Sequence, residues 1–417
     1  MNIHIHTQGC TANQADSETM AGILEQEGHK IVEDENKADL IILNTCTVKT
    51  PTEDKAFSLL EKWKREKKKV IVAGCIPQSD PAKLGAYSLV GTRQVHRIAE
   101  AVKETIRGHR VALLGMETSV RLNLPKIRKN PVIEIVPINA GCTGTCSFCK
   151  TKQARGNLFS YDQHAIIRQI ETAVQEGIKE VWLTSQDTGA YGIELKTNLP
   201  QLLKHIVRIK GDFKVRIGMM NPDHVLRFLD DLLEIMQHEK MFKFLHIPVQ
   251  SGNNRILKEM QRMYKKEGFI KIVKKARHVI PNITLATDVI AGFPGETEAE
   301  FMDTYTLLKE LKMPVVNISK FYPRSGTKAA MMKKLDTKIV KQRSTKLVNL
   351  QKRIITNREW LGWTGDIIID EIGRDCLIGR NEYYKQVLMK GKNLLGKKVR
   401  VSIVNATALD LRGVLQT

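Results

Sequence analysis

The sequence predicts an α/β protein in three parts: an N-terminal open parallel sheet, a central (βα)6 partial barrel and a small C-terminal all-β barrel. Three observations carry this. Strand and helix patterns alternate through residues 1 to 115. From Val132 to Lys320 six apolar strands recur with helices between them, the series of a parallel, curved sheet. After Thr364 the pattern changes to short strands separated by glycine-bearing turns. A chain of 417 residues is long enough for such a division.

In the first part, Asn2–Thr7 reads as a strand, Asn13–Glu27 as a helix and Asp39–Asn44 (D-L-I-I-L-N) as a buried strand. Thr52–Lys67 is helical after Pro51, Lys69–Ala73 is a third strand and Val95–Ile106 a further helix. Cys10 in Q-G-C-T-A-N-Q, Cys46 in N-T-C-T-V and Cys75 in A-G-C-I-P each fall just past a strand's C-terminal end. In an open parallel sheet those ends share one edge, where ligands bind. A buried core cysteine is the ordinary alternative for any one of them. Three at three strand ends point to a three-thiolate cluster with an open iron.

Asn123–Pro131 (N-L-P-K-I-R-K-N-P) reads as a linker. Strands follow at Val132–Ile138, Glu180–Thr184, Lys214–Gly218, Phe242–Ile247, Ile283–Ile290 and Val315–Lys320, with helices such as Asp162–Glu176 and Glu296–Leu311 between them. The loop after the first strand holds Cys142, Cys146 and Cys149 in C-x-x-x-C-x-x-C spacing. A structural zinc site takes four ligands, and no fourth cysteine or histidine lies nearby. A 4Fe–4S cluster can be held by three thiolates, leaving one iron for a small molecule. With Phe148 just before the third cysteine, the spacing is similar to that of radical S-adenosylmethionine (SAM) enzymes. Other loop tips on the same edge are polar: Ser185-Gln186-Asp187, Pro248 to Gly252 (P-V-Q-S-G) and Ala291 to Glu296 (A-G-F-P-G-E). They read either as turn and capping chemistry or as contacts to SAM.

Lys333–Trp360 reads as a long basic helix. Strands follow at Asp366–Glu371, Cys376–Gly379, Lys385–Met389, Lys398–Val404 and Leu409–Val414, with Cys376 in the barrel core. The formal net charge is +21, spread over Lys62–Lys69, Arg262–Lys275, Lys333–Arg353 and Lys385–Arg400. Each cluster alone is a solvated helix face; together they favour a polyanion, with nucleic acid the default. No apolar run approaches a membrane span and the N-terminus lacks a signal-peptide pattern, so a cytoplasmic protein without a membrane partner is expected. In a reducing compartment the cysteines are expected as metal ligands rather than in disulfides, Cys376 in the barrel core aside.

Over nearly its whole length the chain resembles MiaB-type radical SAM methylthiotransferases. The matching stretches are T-Q-G-C-T-A-N, N-T-C-T-V, A-G-C-I-P, G-C-T-G-T-C-S-F-C, H-I-P-V-Q-S-G-N and D-V-I-A-G-F-P-G-E-T. The resemblance implies a methylthiotransferase domain over residues 1–115, a radical SAM core over 125–355 and an RNA-binding TRAM domain over 356–417. It implies two 4Fe–4S clusters: a SAM-binding one on Cys142, Cys146 and Cys149, and an auxiliary one on Cys10, Cys46 and Cys75. Phe148, Ser185, Gln186, Asp187, Gln250, Ser251 and Gly292 are the expected SAM contacts. Gly292 and Glu296 lie four apart, one residue off the more general radical SAM spacing.

Within the family, C-K-T-K-Q-A-R-G-N-L-F-S-Y and L-N-T-C-T-V-K-T-P resemble the branch that acts on N6-threonylcarbamoyladenosine at tRNA position 37, in an archaeal-like form without the membrane anchor of some eukaryotic members. The implied reaction puts sulfur and a methyl group on C2 of the adenine. That C–H bond has no acidic proton to remove, so a radical made from SAM is required. The base must be splayed out of the anticodon loop. An electron donor such as flavodoxin or ferredoxin and a sulfur donor are further implied partners. Lys150, Lys152 and Arg155 beside the cluster loop are the expected contacts of the threonylcarbamoyl carboxylate, with surface charge or phosphate contact as their other reading. Three alternatives stand beside this branch: isopentenyl-adenosine as substrate, an aspartate of a ribosomal protein as substrate, and a non-catalytic iron–sulfur RNA-binding sensor.

Overall fold

The computed structural model describes residues 1–47, 50–117, 121–355 and 357–416. Val48 and Lys49 of the motif after Cys46, and Thr356 and Thr417 at the bounds expected for the last domain, lie outside the described residues.

The N-terminal sheet comprises β1 (Asn2–Thr7), β2 (Lys30–Ile31), β3 (Leu40–Thr45), β4 (Lys69–Gly74), β5 (Ser88–Gly91) and β6 (Ala112–Leu113). All ladders are parallel, in the order β2-β1-β3-β4-β5-β6. Every residue of β3 is buried, because helices cover both faces. Leu40 and Ile42 pack with Met20 and Leu24 on one side. Ile41 and Leu43 pack with Leu60 and Trp63 on the other. The sequence reading missed β2, β5 and β6. Two to four residues show no periodicity, and only their neighbours make them strands.

The central part follows with β7 (Ile133–Pro137), the short antiparallel pair β8 (Asn139–Ala140) and β9 (Phe159–Ser160), then β10 (Glu180–Thr184), β11 (Lys214–Ile217), β12 (Phe244–His246), β13 (Thr284–Ala291) and β14 (Val315–Lys320). Two parallel three-stranded ladders, β7-β10-β11 and β12-β13-β14, meet where Met241 bridges to Val215. The fourth strand is therefore shorter than the sequence suggests. The basic helix is also shorter, Thr337–Ile354, because the Asp336 side chain caps it by accepting from Lys338 N. The last part, β15 (Thr364–Ile372), β16 (Leu377–Asn381), β17 (Gln386–Met389), β18 (Lys398–Ala406) and β19 (Leu411–Leu415), closes into a barrel in the order β15-β16-β17-β19-β18. No helix among the described residues is long and apolar enough to cross a membrane.

The expected linker is a packed strap. Ile127 N donates to Glu18 O at 2.9 Å. Lys126 and Arg128 both pair with the fully buried Glu134, at 2.7 and 2.5 Å. A Cβ at Gly22 of the first helix would sit 2.2 Å from Lys126 N, so only glycine lets the strap lie down. Gly22→Ala is expected to destabilise the protein by about 1–3 kcal/mol through this overpacking. A lower urea midpoint at unchanged slope is the readout.

The C-terminal barrel docks against the N-terminal ends of the central strands. Lys243 N donates to Glu382 O, and Asn130 Nδ2 to Asp370 O, both at 2.7 Å. The Arg216 guanidinium lies 5.2, 5.3 and 5.2 Å from the ring centres of Trp182, Phe244 and Tyr384. Beside it Glu180 and Asp370, one from each side, are buried with one carboxylate oxygen each unpartnered.

Candidate functional site

The first cysteine set is built from strand ends. Strands β1, β3 and β4 are neighbours, so Cys10, Cys46 and Cys75 arrive on one edge. Cys10 is the N-cap of the helix Thr11–Gln26, and its Sγ donates to Asn13 Oδ1 at 3.4 Å. Asn13 Nδ2 donates to Thr45 O at 2.7 Å, and Thr45 Oγ1 donates to Ala73 O at 2.7 Å. These side chains lock the three strand ends together. The glycines of Q-G-C and A-G-C are obligatory. Gly9 has φ +123°, and a Cβ there would lie 2.7 Å from Cys46 Cβ; Gly74 has φ +92°, and a Cβ there would lie 2.3 Å from Asn44 Oδ1. Cys46 and Cys75 are buried, while Cys10 is exposed. Burial pushes the Cys75 thiol up, opposed by the Arg155 charge.

The second set sits in the loop between β8 and the short helix Thr151–Arg155. Gly141, with φ +75°, lets the loop approach Asn157 O, which a Cβ would meet at 2.0 Å. Gly144 N donates to Cys142 Sγ at 3.2 Å. A Cβ at Gly144 would lie 3.4 Å from Cys142 Sγ and 3.6 Å from Cys146 Sγ, so both sulfurs crowd one glycine. All three cysteines line one cavity of about 490 Å³, with Lys152 on its rim. Arg262 Nη1 donates to Cys146 Sγ at 3.0 Å, with its guanidinium 4.9 Å from the Tyr264 ring centre. Burial pushes the Cys142 thiol up to about 11 and the Cys146 thiol up as well, opposed at Cys146 by Arg262.

Among the described residues no three His, Cys, Asp or Glu converge to ligate a single metal ion. The donor sets are instead all-thiol, free of disulfides, one round an open cavity and one along a sheet edge. Each thiol set has a guanidinium beside it, half-buried Arg262 at one and buried Arg155 at the other. Such donors fit 4Fe–4S clusters, which bind thiolates and carry net negative charge.

A cavity of about 560 Å³ lies against β13 and β14 and is lined by Phe148, Gln250, Asp288, Asn317, Ser319 and Arg324, among others. Of the expected SAM contacts, Phe148 and Gln250 therefore share this cavity. The others have internal partners. Ser185 Oγ accepts from Asp187 N, and Gln186 Oε1 accepts from Gly141 N at 2.8 Å. Asp187 is fully buried, accepting from Asn221 Nδ2 at 2.6 Å and lying 2.8 Å from His224 Nδ1. Ser251 packs on Thr304. Gly292, with φ +79°, lies under Val340, and its N–H donates to Glu296 Oε2 at 3.2 Å. Arg343 pairs with that carboxylate at 2.8 Å, yet burial pushes Glu296 up to about 7.

The expected substrate cations are placed differently from the sequence reading. Lys150 is buried in an ion pair with Asp80. Arg155 is 2% exposed and pairs with Asp16 at 3.0 Å. Both point into the N-terminal part. Lys152 Nζ donates to Gly144 O at 3.3 Å, beside the cysteine cavity. Two further arginines were not singled out from sequence. Arg262 sat in a run read as polyanion-binding charge. Arg324 donates to Thr47 and Thr50 and pairs with Glu53, tying the loop after β14 to the Cys46 loop. Neither has a local pattern that separates it from surface charge.

Residues 2–90 match the family described as uncharacterized protein family UPF0004, and residues 136–308 match the radical SAM superfamily. The chain is 42% identical over 99% of its length to the human threonylcarbamoyladenosine tRNA methylthiotransferase, of which it covers 73%. It is 40% identical over its full length to the whole of a probable threonylcarbamoyladenosine tRNA methylthiotransferase of Pyrococcus horikoshii. In fold it is similar to the radical SAM methyltransferase TsrM of Kitasatospora setae, with TM-score 0.59, 14% identity, and 79% of this chain and 77% of that one covered. The cobalamin-dependent SAM radical enzyme OxsB is similar with TM-score 0.53, 14% identity, and 85% and 56% covered. Full-length identity, the two matched segments and the two cysteine triplets place the chain in the threonylcarbamoyladenosine tRNA methylthiotransferase family.

Proposed function

We propose that this chain converts N6-threonylcarbamoyladenosine at tRNA position 37 to its 2-methylthio derivative, with SAM and two 4Fe–4S clusters. The observation that carries it is the pair of thiol sets held close by one short helix: Lys150 at its start reaches Asp80, and Arg155 at its end reaches Asp16. One set, Cys142, Cys146 and Cys149, is read as the SAM cluster site; the other, Cys10, Cys46 and Cys75, as the auxiliary site. When bound, the clusters and SAM supply radical chemistry and sulfur that no side chain provides. The chain's own residues do the rest. The cavity holding Phe148 and Gln250 suits the adenosyl part of SAM. Arg324, 6% exposed, reaches from that cavity to Thr47 beside Cys46 and fixes the Cys46 loop against it. The electron donor, of flavodoxin or ferredoxin type, and the sulfur donor belong to this proposal as partners. A sensor needs one closed cluster, not two open thiol sets.

The test is nucleoside mass spectrometry of anaerobic reactions on two tRNAs, one bearing threonylcarbamoyladenosine and one isopentenyladenosine. The methylthio product is expected from the first. Turnover of the second should be lower, because its apolar tail gives Lys152 beside the cysteine cavity no carboxylate to pair with. Equal turnover of both would refute the branch, and methylthiolation of a ribosomal-protein aspartate instead would refute tRNA as substrate.

For tRNA binding by the C-terminal barrel, the exposed lysines are the residues to vary. Lys385 is tied to Asn357 Oδ1 at 2.8 Å and lies over Trp360, whereas Lys390, Lys392 and Lys397 are exposed. Replacing those three with glutamate is expected to weaken tRNA binding. It should reduce the slope of log affinity against log salt by roughly 0.7–0.9 for each phosphate that is no longer neutralised. A filter-binding series at several salt concentrations measures this; an unchanged slope would count against the barrel as the RNA-binding element.

A further inference from the structure

We infer that Arg155 is a positioning residue for the auxiliary cluster, a buried cation carried by the SAM-cluster loop and delivered to the sulfurs of the other triplet. The inference rests on the two-cluster reading above. The Arg155 guanidinium is buried beside Cys75 and Cys10, and its charge favours the thiolate of Cys75 first. Its Nη2 also donates to Asn13 Oδ1 at 3.1 Å, the atom that accepts from Cys10 Sγ. One guanidinium thus stands beside two of the three thiols, Cys75 and Cys10, with Asn13 Oδ1 fixing its position between them.

Its backbone is held against the N-terminal part. Arg93 Nη2 donates to Arg155 O at 3.0 Å and to Asn157 O at 2.8 Å, and Thr92 Oγ1 donates to Ala154 O at 2.6 Å. Lys150, five residues earlier, is fixed to Asp80. Turning Arg155 toward the SAM-side cavities would break the Asp16 pair and leave a buried carboxylate with one partner fewer.

The local charge is unbalanced. Asp16 is shared between two buried guanidiniums, Arg155 and Arg121. One carboxylate between two cations leaves positive charge facing Cys75 and Cys10. Burying such an excess is unfavourable unless an anion sits opposite. Thiolates on a cluster are that anion, and the charge favours the more negative, reduced state of the cluster.

The test uses the full chain with Cys142, Cys146 and Cys149 replaced by alanine, so that only the auxiliary cluster is read. Its midpoint potential is measured by redox titration followed by electron paramagnetic resonance, with and without Arg155→Met or Arg155→Lys. Arg155→Met should lower the potential relative to the parent, and Arg155→Lys should stay near it. Arg121 still pairs with Asp16 in both variants, which keeps that carboxylate partnered. If Arg155→Met cannot hold the cluster, Arg155→Lys decides: a cluster retained at the parental potential supports the inference, and loss in both overturns it. An unchanged potential in Arg155→Met also overturns it, as does a raised KM for tRNA in the otherwise wild-type enzyme with the potential unmoved. If the parent triple variant is folded but binds no iron, the two-cluster reading fails instead.

Discussion

Replacing Cys142, Cys146 and Cys149 together with alanine is expected to abolish SAM cleavage while halving the iron, from about eight to about four per chain after anaerobic reconstitution. The two thiol sets share no ligand and stand on separate sheets, so one can empty without unfolding the other. The loss of cleavage should be on the order of 10⁶ or more, since no residual side chain can deliver an electron to SAM. Iron and sulfide assay with detection of 5′-deoxyadenosine are the readouts. The triple Cys10, Cys46 and Cys75 variant should show the converse: four irons remaining and cleavage retained, but no methylthio product. A folded SAM-side triple variant that keeps all its iron, or loses all of it, would refute the assignment of the two sets.

The second large effect is on stability. Arg380→Met is expected to cost about 3–5 kcal/mol and to loosen the C-terminal barrel, because it removes the cation from a buried pair. Arg380 Nε donates to Asp370 Oδ2 at 3.2 Å, and its charge also reaches Glu180. Without it, two buried carboxyl groups face each other where barrel and core meet. Asp370→Asn in the same chain should recover much of the loss, since the amide carries no charge. The same junction makes stability depend on pH. Burial first, then the neighbouring Asp370, pushes Glu180 up to about 8. The folded state therefore holds a proton that the unfolded carboxyl, with pKa about 4.3, gives up earlier. This contribution is greatest below the unfolded value and is lost as pH rises through 8. Thermal melts at pH 6 and pH 9 should show the difference, and Glu180→Gln should reduce it. An unchanged melting temperature across this range in the wild-type protein would count against the assignment.

The sequence by itself determined the architecture and the two cysteine sets. Each cysteine follows a strand long enough to be read, and parallel strands deliver their C-terminal ends to one edge whatever else the chain does. Q-G-C and A-G-C were legible as motifs, and their glycines turn out to be fixed by contacts to Cys46 and Asn44. What the sequence left undecided was the direction of the cations. Lys150 and Arg155 stand within a few residues of Cys149, and nearness along the chain suggested a substrate contact. Their partners Asp80 and Asp16 are 70 and well over 100 residues away, on or beside helices of the N-terminal part. Arg262 and Arg324 were hidden for the same reason, since a basic run and a loop arginine look alike until Cys146 or Glu53 is placed beside them. The strap over Gly22 read as a linker because prolines and lysines mark exposed chain unless a carboxylate such as Glu134 is buried beneath them. Secondary structure follows from local pattern. The pairing of buried charges is long-range, and only the tertiary structure decided it.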